Sequence, residues 1–505
     1  MQAAFESKMN KSKQLGQVIT PAWIVNEILD ACHYAGCSIL RRYVLEPACG
    51  NGAFLSEMVS RYIAAAKAEQ QSNEQIAAEL AQYIVGVELD PVAYADCITR
   101  LNHIVQQELG LPNIAWRIHN QNTLDFYRDY VGYFDWVVGN PPYIRLHRLD
   151  EAMRARLKQQ FRFTHGTTDM YLAFFEMAFA MLNPKGKLGF ITPNSFLHNT
   201  SYQAFRQFLQ QQGHLIALYD FKSNKLFEGF STYTAISIFD KQHQQSDFAY
   251  LEYQDGKCVT VNRIAFHQLN PKKWTLASSE NAQFLQRLQT GTQLGDLFNV
   301  QYGFATLRDK IFIAKATPID ETHSQFNGFN IENAILRPIV KGSRYKGLPE
   351  DIEHVVFPYY LCNGRYVAYT EADLAQQFPL AYAYLLHHKQ TLSERDIDKN
   401  VQWFEFGRSQ GLQTSHSEKI VVSTLFYDCI TLFRLPKNVL VYSGIFITQK
   451  QPAHDWEIAE NALRSPEFFH YARLTGKDMS GGYKSLSSKQ IKGFALPISC
   501  PNSLF

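Results

Sequence analysis

Apolar runs of strand length recur through the first 240 residues, each closing on a turn or polar residue, with helical stretches between them. VLEPACG at 44–50, YIVGVELD at 83–90, FDWVVGN at 134–140 and KLGFITP at 187–193 are nearly continuous in hydrophobicity. That pattern predicts strands covered on both faces, as in a parallel sheet, rather than the alternation of a half-exposed one. Between the first two runs, Ala53–Ala81 is rich in Ala, Glu and Gln and predicts one helix followed by another. TAISIFD at 234–240 predicts the strand that closes this unit. Strands alternating with helices in this way predict an α/β domain with crossover helices.

The texture changes after about residue 240. FAYLEY, HVVFPYY, KIVVSTLFYDCITLFRL and VLVYSGIFIT are strand-like and separated by irregular stretches, while Ala372–His388 and Ala459–Leu474 have helical composition. A second, mixed α+β domain is expected, giving a division at 1–240 and 241–505. No internal repeat, heptad array or low-complexity tract interrupts either part.

Composition narrows the class. A chain of 505 residues with 46% hydrophobic content can bury ordinary cores in two or more domains. No uncharged apolar stretch approaches the roughly 20 residues that span a bilayer, and the first residues lack the apolar core of a signal peptide, so a cytoplasmic protein without membrane contact is expected. The eight cysteines form no Cys-x-x-Cys pair and have no His at metal-ligand spacing, which predicts reduced thiols and no metal site. Net charge is only +2, so any nucleic-acid contact has to come from local patches.

The strongest chemical signal is Asn140-Pro141-Pro142-Tyr143, which closes the run Phe134–Gly139. Open α/β sheets bind ligands at the carboxyl ends of their strands. An exocyclic amino group conjugated to an aromatic ring is a poor nucleophile, and its lone pair has to be freed. The Asn140 side-chain oxygen and the Pro141 carbonyl can accept both of its N–H protons, Tyr143 can stack on the ring, and Pro142 stiffens the loop and offers no competing donor.

Two other strand ends complete the picture. Glu46-Pro-Ala48-Cys-Gly50-Asn-Gly52 follows a strand and opens a helix, so its backbone can approach a ligand closely. It is neither the dinucleotide glycine pattern nor a phosphate loop, and the acidic Glu46 favours a zwitterionic amino-acid group over phosphate. Glu88, in VELDP, stands where an acidic residue can accept hydrogen bonds from both hydroxyls of a ribose.

EPACGNGAF, VELDP and NPPY in that order, preceded by Gln17-x-x-Thr20-Pro21, resemble the TaqI-like, gamma-class adenine-N6 DNA methyltransferases. Looser similarity runs on through Asp169-x-Tyr171-x-x-Phe174-x-Glu176, GFITPNSFL, LGDLFNVQYG at 294–303, LRPIVKG at 336–342 and GGYKSLSSKQIKGFALP. The resemblance implies a Rossmann-like class I methyltransferase domain with a mainly parallel sheet, followed by a target-recognition domain. It implies S-adenosylmethionine as cofactor, with Thr20, Glu46, Ala48 and Gly50 at its methionine end and Glu88 on its ribose. Leu89, Pro142 and Phe174 would pack on its adenine, and Asn140 would adjoin the transferred methyl. At 122–123 the chain has Asn122 and Thr123 where the family usually has Asp, with Asp125 three residues on; either Asn122 or Asp125 would meet the cofactor adenine. Phe227 would face the target base opposite Tyr143.

Lys341, Arg344 and Lys346 form one basic cluster, and Lys477, Lys484, Lys489 and Lys492 another, interleaved with serines. Both suit phosphate contacts on double-stranded DNA. A monomer is expected, and a cognate restriction endonuclease acting separately is a compatible partner. The alternatives are a class I methyltransferase of another acceptor (cytosine N4, an RNA base or protein glutamine) and a non-catalytic DNA-binding subunit.

Overall fold

The computed structural model describes residues 20–496 apart from 223, 225, 227–232 and 289. The chain divides into two compact units, one ending at Glu280 and the other starting at Asn281.

The first unit is built on one sheet of nine strands: β1 (Val44–Glu46), β2 (Ile84–Glu88), β3 (Arg117–Asn120), β4 (Phe134–Gly139), β5 (Leu182–Pro193), β6 (Leu215–Asp220), β7 (Thr234–Asp240), β8 (Asp247–Gln254) and β9 (Lys257–Ala265). Their spatial order is β3-β2-β1-β4-β5-β7-β6-β8-β9. β3, β2, β1, β4 and β5 run parallel, β7 is antiparallel between β5 and β6, and β8 is again parallel to β6.

All four apolar runs are strands, as expected. TAISIFD is a strand but does not close the sheet, since β7 is inserted between β5 and β6 and the β8–β9 hairpin extends the edge beyond them. FAYLEY is therefore part of the first unit, and the division falls about 40 residues later than the expected 240. The reason is physical: half-alternating β8 pairs with β6 and buries Phe248 and Tyr250, a burial pattern that one-sided strands share with those of a separate β domain.

Strand order reverses between β1 and β4. From β1 the chain winds outward through helical crossovers to β2 and β3, then returns to lay β4 on the other side of β1, which opens a crevice at the carboxyl ends of β1 and β4. Four helices frame it: α1 (Ala22–Ala31), α2 (Ala53–Ala68), α3 (Asn73–Tyr83) and α4 (Pro91–Leu109). The stretch 53–81 is thus two helices. Ser72 caps the second by accepting from Gln75 N–H at 3.2 Å, which satisfies one of its unpaired first-turn donors. α4 begins with Asp90 as cap and Pro91 at its first position, and ends on Gly110 in the left-handed region.

Residues on alternate sides of the strands feed two cores. Phe134 and Val137 of β4 join Phe175 and Phe190 on one face; Trp136 and Val138 join Ile28, Phe54 and Leu55 on the other. Fully burying each such side chain contributes on the order of 1.5–3 kcal/mol. α1 lies close on β5 because position 189 is glycine: a Cβ there would lie 2.6 Å from Cys32 Sγ and 2.7 Å from Ile28 Cγ2. That contact also places Thr20, just ahead of α1, beside the end of β4.

The second unit is a mixed α+β structure, as expected. One four-stranded sheet joins Phe298–Tyr302, Ile445–Gln449, Lys419–Val422 and Leu432–Leu435; another joins Ile313–Ala314, Ile352–Val356, Leu336–Lys341 and Leu440–Tyr442. A small third sheet joins Leu425–Phe426, Lys484–Ser485 and Lys477–Asp478. The two expected helices are each interrupted by proline, at Pro379 and Pro466, which starts a new helix because it lacks the N–H that would continue the old one.

Candidate functional site

The carboxyl ends of β1, β2 and β4 bring together the three motifs. Gly50 and Gly52 both have positive φ, 53° and 83°. A Cβ on Gly52 would lie 2.7 Å from Cys97 Sγ on α4, so this turn needs glycine both for its backbone conformation and for space. Cys49 N–H donates to Val87 O at 2.9 Å and ties the turn to β2.

Glu46 and Glu88 are both buried. Glu88 accepts from Gly50 N–H and from Asp90 N–H, each at 2.7 Å, so one carboxylate fixes the glycine turn and the start of α4 together. Burial raises its pKa, and the backbone donors work against that rise. Glu46 accepts from Leu55 N–H at 3.2 Å, in the first turn of α2. Loss of water pushes its pKa well above the ordinary carboxylate range, with the neighbouring Cys97 and Glu88 adding repulsion. A buried carboxylate in that state favours a cationic partner.

Asn140 stands at the end of β4. Its Nδ2 donates to Thr20 Oγ1 at 3.1 Å, which orients the amide and joins the expected Thr20 to the NPPY segment. Gly139, immediately before it, packs on Glu46: a Cβ there would lie 3.3 Å from Glu46 Cγ. The NPPY platform and the glycine turn therefore share one crevice. Tyr143 is half-buried against the core, and its hydroxyl donates to Ile191 O at 3.3 Å, anchoring the ring edge to β5. Burial raises its pKa, so the phenol stays neutral.

The remaining expected cofactor residues differ in what they do. Leu89 is 58% exposed directly after Glu88, an apolar surface that suits a flat aromatic ligand. Ala48 and Pro142 are half-buried, whereas Phe174 lies in the core. Thr123 is buried and donates to Pro47 O at 2.6 Å, linking the β3 turn to the glycine turn. Asn122 caps the short helix Thr123–Phe126 by accepting from Leu124 N–H at 3.0 Å. Asp125 forms an ion pair with Arg156. Both candidates for the cofactor adenine thus have local partners, and Asn120, two residues ahead of Asn122, donates its Nδ2 to Glu88 O at 2.8 Å. Phe227, and Gln17 of the first motif, lie outside the described residues.

A supporting network was not foreseen. Buried Asp169 accepts from Tyr202 and pairs with Arg145 at 3.2 Å, while Met170 N–H donates to Ile144 O at 2.8 Å. Together they clamp the chain just after NPPY onto the helix Tyr171–Met181. The Asp-x-Tyr-x-x-Phe spacing marked the segment, but its pairing with Arg145 needed the fold.

Among the basic residues, Lys341 stacks over the Tyr442 ring at 5.5 Å, and Arg344 and Lys346 follow on an exposed turn. Lys484 is half-buried on the small third sheet and Lys489 is exposed on the helix Ser488–Lys492. Among the described residues, no cluster of His, Cys, Asp and Glu could hold a metal ion, and no helix is long and apolar enough to cross a membrane.

Comparison with known proteins agrees with this geometry. Residues 72–227 match the family model of the Eco57I restriction-modification methylase. The chain is 25% identical to the Type II restriction enzyme and methyltransferase RM.Eco57I of Escherichia coli, across 81% of this chain and 49% of that protein. It is 23% identical to the Type II methyltransferase M.BstVI of Geobacillus stearothermophilus (77% of this chain, 73% of that one) and 24% identical to M.XhoI of Xanthomonas vasicola (95% and 91%). The chain therefore spans about half the length of RM.Eco57I and most of the length of the other two. Among solved structures, the Type IIL restriction-modification enzyme MmeI in complex with DNA superposes with a TM-score of 0.60 over 92% of this chain and 65% of that one, at 15% identity. The first unit has the Rossmann-like class I methyltransferase fold, and the motif resemblance to restriction-modification methyltransferases is borne out.

Proposed function

We propose that this protein transfers a methyl group from S-adenosylmethionine to the N6 amino group of adenine in duplex DNA, as the modification enzyme of a restriction-modification system. The observation that carries the reading is the shared crevice: Asn140, oriented by Thr20, stands beside Glu46 and the glycine turn at the point where strand order reverses. The names of the relatives, Type II methyltransferases, and the DNA complex of MmeI support the same class of acceptor.

The residues present fit the cofactor. Glu46 is a buried carboxylate whose pKa is raised by loss of water, so an ammonium group is the partner that would offset that cost; Glu88, held by Gly50 N–H, would take the sugar hydroxyls, and Leu89 exposes an apolar face. When bound, the cofactor supplies a methyl already activated by its positive sulfur. The chain's task is then positioning and hydrogen-bond polarisation. The Asn140 oxygen and Pro141 carbonyl accept the amino protons, and Tyr143, locked by its hydroxyl to Ile191, stacks on the ring. Extruding a base costs a few kcal/mol. Stacking worth roughly 1–3 kcal/mol per base offsets much of it.

Asn rather than Ser before the prolines favours adenine over cytosine. Residues to about 280 form the catalytic part in this reading, and the second unit recognises DNA. A cytoplasmic monomer with a separately acting cognate endonuclease belongs to the same proposal. The test is mass spectrometry of nucleosides from plasmid DNA after incubation with the protein and cofactor: N6-methyladenine supports the reading, and N4-methylcytosine or unmodified DNA overturns it.

A further inference from the structure

The three segments of the second unit that the catalytic reading leaves unused converge on one place. Gly303, ending LGDLFNVQYG, donates its N–H to Gly444 O at 3.0 Å; Gly444 in turn packs against Gly342, ending LRPIVKG. Ser443 beside them holds φ 48° without being glycine, a conformation that costs free energy and gathers at functional sites. Gly303, Ser443 and Gly444 line a cleft of about 400 Å³, together with Gln410, Thr424 and, from the small third sheet, Leu425 and Ser485.

The third sheet has an outer face that registers can define. Leu425 pairs with Ser485, which pairs with Lys477. Directly opposed residues share a face, and so do residues two apart along a strand. The next outward rung is therefore Tyr427, Tyr483 and Met479. It is observed as such: the two tyrosine rings lie 5.5 Å apart and Met479 N–H donates to Tyr483 O at 2.8 Å. Buried Phe426 belongs to the opposite, inner row with Lys484. Leu425, Tyr427, Tyr483 and Met479 are between 36% and 48% exposed. Four large apolar side chains in two adjacent rungs are more than a surface usually leaves uncovered, and mark a contact face.

The charges around the face choose its occupant. Lys477 lies in its first rung and Arg473 beside its second, donating to Tyr427 O at 3.1 Å. Across the cleft, Lys341 and Arg344 flank the Gly342 contact, where Ser343 N–H donates to Ser443 O at 3.1 Å. Asp428 adjoins Tyr427, so the surface is mixed at that corner. Basic residues rimming an aromatic and hydroxyl-bearing β-face fit a nucleic-acid duplex: the phosphates meet the lysines and arginines, and strands can present side chains to base edges in a groove.

We propose that this ribbon face, Leu425–Ser485–Lys477 with Tyr427–Tyr483–Met479, enters the DNA groove and reads the target sequence, with the adjoining cleft seating one phosphodiester strand. The inference rests on the proposed DNA-modifying function and names the surface that gives it specificity. Of the two lysines on this sheet, Lys477 shares the outer face and Lys484 lies on the inner row.

The experiment uses the full chain. Binding to a duplex carrying the methylated sequence is followed by fluorescence anisotropy, and the set of modified sequences is read by single-molecule sequencing of DNA from a host expressing each variant. Tyr427→Ala with Tyr483→Ala lowers duplex affinity at least tenfold while cofactor binding and thermal unfolding stay as in the wild type. Lys477→Gln and Ser485→Ala each broaden the modified sequences at one or two base pairs. Lys437→Gln, at an exposed position outside the face and both basic clusters, leaves the sequence set unchanged. Affinity within twofold of wild type for the double tyrosine variant, together with an unaltered sequence set for the other two, overturns the proposal. So does light scattering that shows a wild-type dimer dissociated by the tyrosine changes, since the face would then be a protein interface. If the wild type binds duplex through this face yet methylates nothing, the inference stands and the catalytic reading falls.

Discussion

Gly52→Ala is the change from which the glycine turn has most to lose. The residue has φ 83° and ψ 32°, where an L side chain costs about 1–2 kcal/mol relative to glycine. Its new Cβ would lie 2.7 Å from Cys97 Sγ, an atom one bond from Cβ on a fully buried side chain, so relief needs a χ1 change inside the packed core. Overpacking of this kind adds about 1–3 kcal/mol. The sum, roughly 2–5 kcal/mol, is a large share of the 5–15 kcal/mol that holds a typical domain folded. Because Gly50 N–H is also a donor to Glu88, displacement of the turn disturbs that carboxylate as well. Urea unfolding of the first unit and calorimetric titration of S-adenosylmethionine measure both effects. Cys97→Ala removes the sulfur, so the double variant recovers about 1–3 kcal/mol relative to the sum of the single changes. A Gly52→Ala protein as stable as wild type, or a double variant that is merely additive, contradicts the close packing of this turn on α4.

Three further outcomes follow from the same structure. Binding of the cationic cofactor releases a proton from Glu46: its folded pKa is raised by burial, so the apo protein loses stability as pH rises from the ordinary carboxylate range through that raised value, and cofactor affinity climbs over the same interval. Calorimetry in two buffers of different ionisation enthalpy detects the proton, and Glu46→Gln abolishes it. In the second unit, Lys419 is buried, donates to Val439 O at 2.7 Å, and is pushed down to about 8 by loss of water. The stability of wild type relative to Lys419→Met therefore rises as pH increases from about 8 toward the ordinary lysine value, and a flat difference in thermal scans over that interval counts against the burial argument. Asp169→Asn loosens the clamp behind NPPY by about 1–2 kcal/mol, and kcat falls roughly tenfold with cofactor affinity unchanged; a change confined to cofactor affinity would place Asp169 elsewhere in the mechanism.

Much of the first unit was legible because its signals are local. Apolar runs ending in Glu88, Asn140 and Pro193 reveal both the strands and the ends at which chemistry sits, and glycines at 50 and 52 reveal the turn. What sequence could not show is pairing between distant segments. Nothing in residues 247–265 says that they continue a parallel sheet, so the boundary was set too early. Asn122 caps a helix in the structure, a role the sequence does not separate from ligand contact because cap residues and ligand-binding residues are the same polar types at the same strand-to-helix turns. Arg145 and Asp169 meet across 24 positions, and the ribbon face brings together residues near 425 and 485, a proximity carried only by strand register.

The most direct test of the central claim compares wild type with Asn140→Ala on one duplex substrate, with cofactor binding measured by calorimetry and products by mass spectrometry of nucleosides. The account predicts N6-methyladenine from the wild type, and from the variant intact cofactor binding with methylation lowered by at least a hundredfold. Methylation by Asn140→Ala at a rate near that of wild type, or a product other than N6-methyladenine, would contradict it.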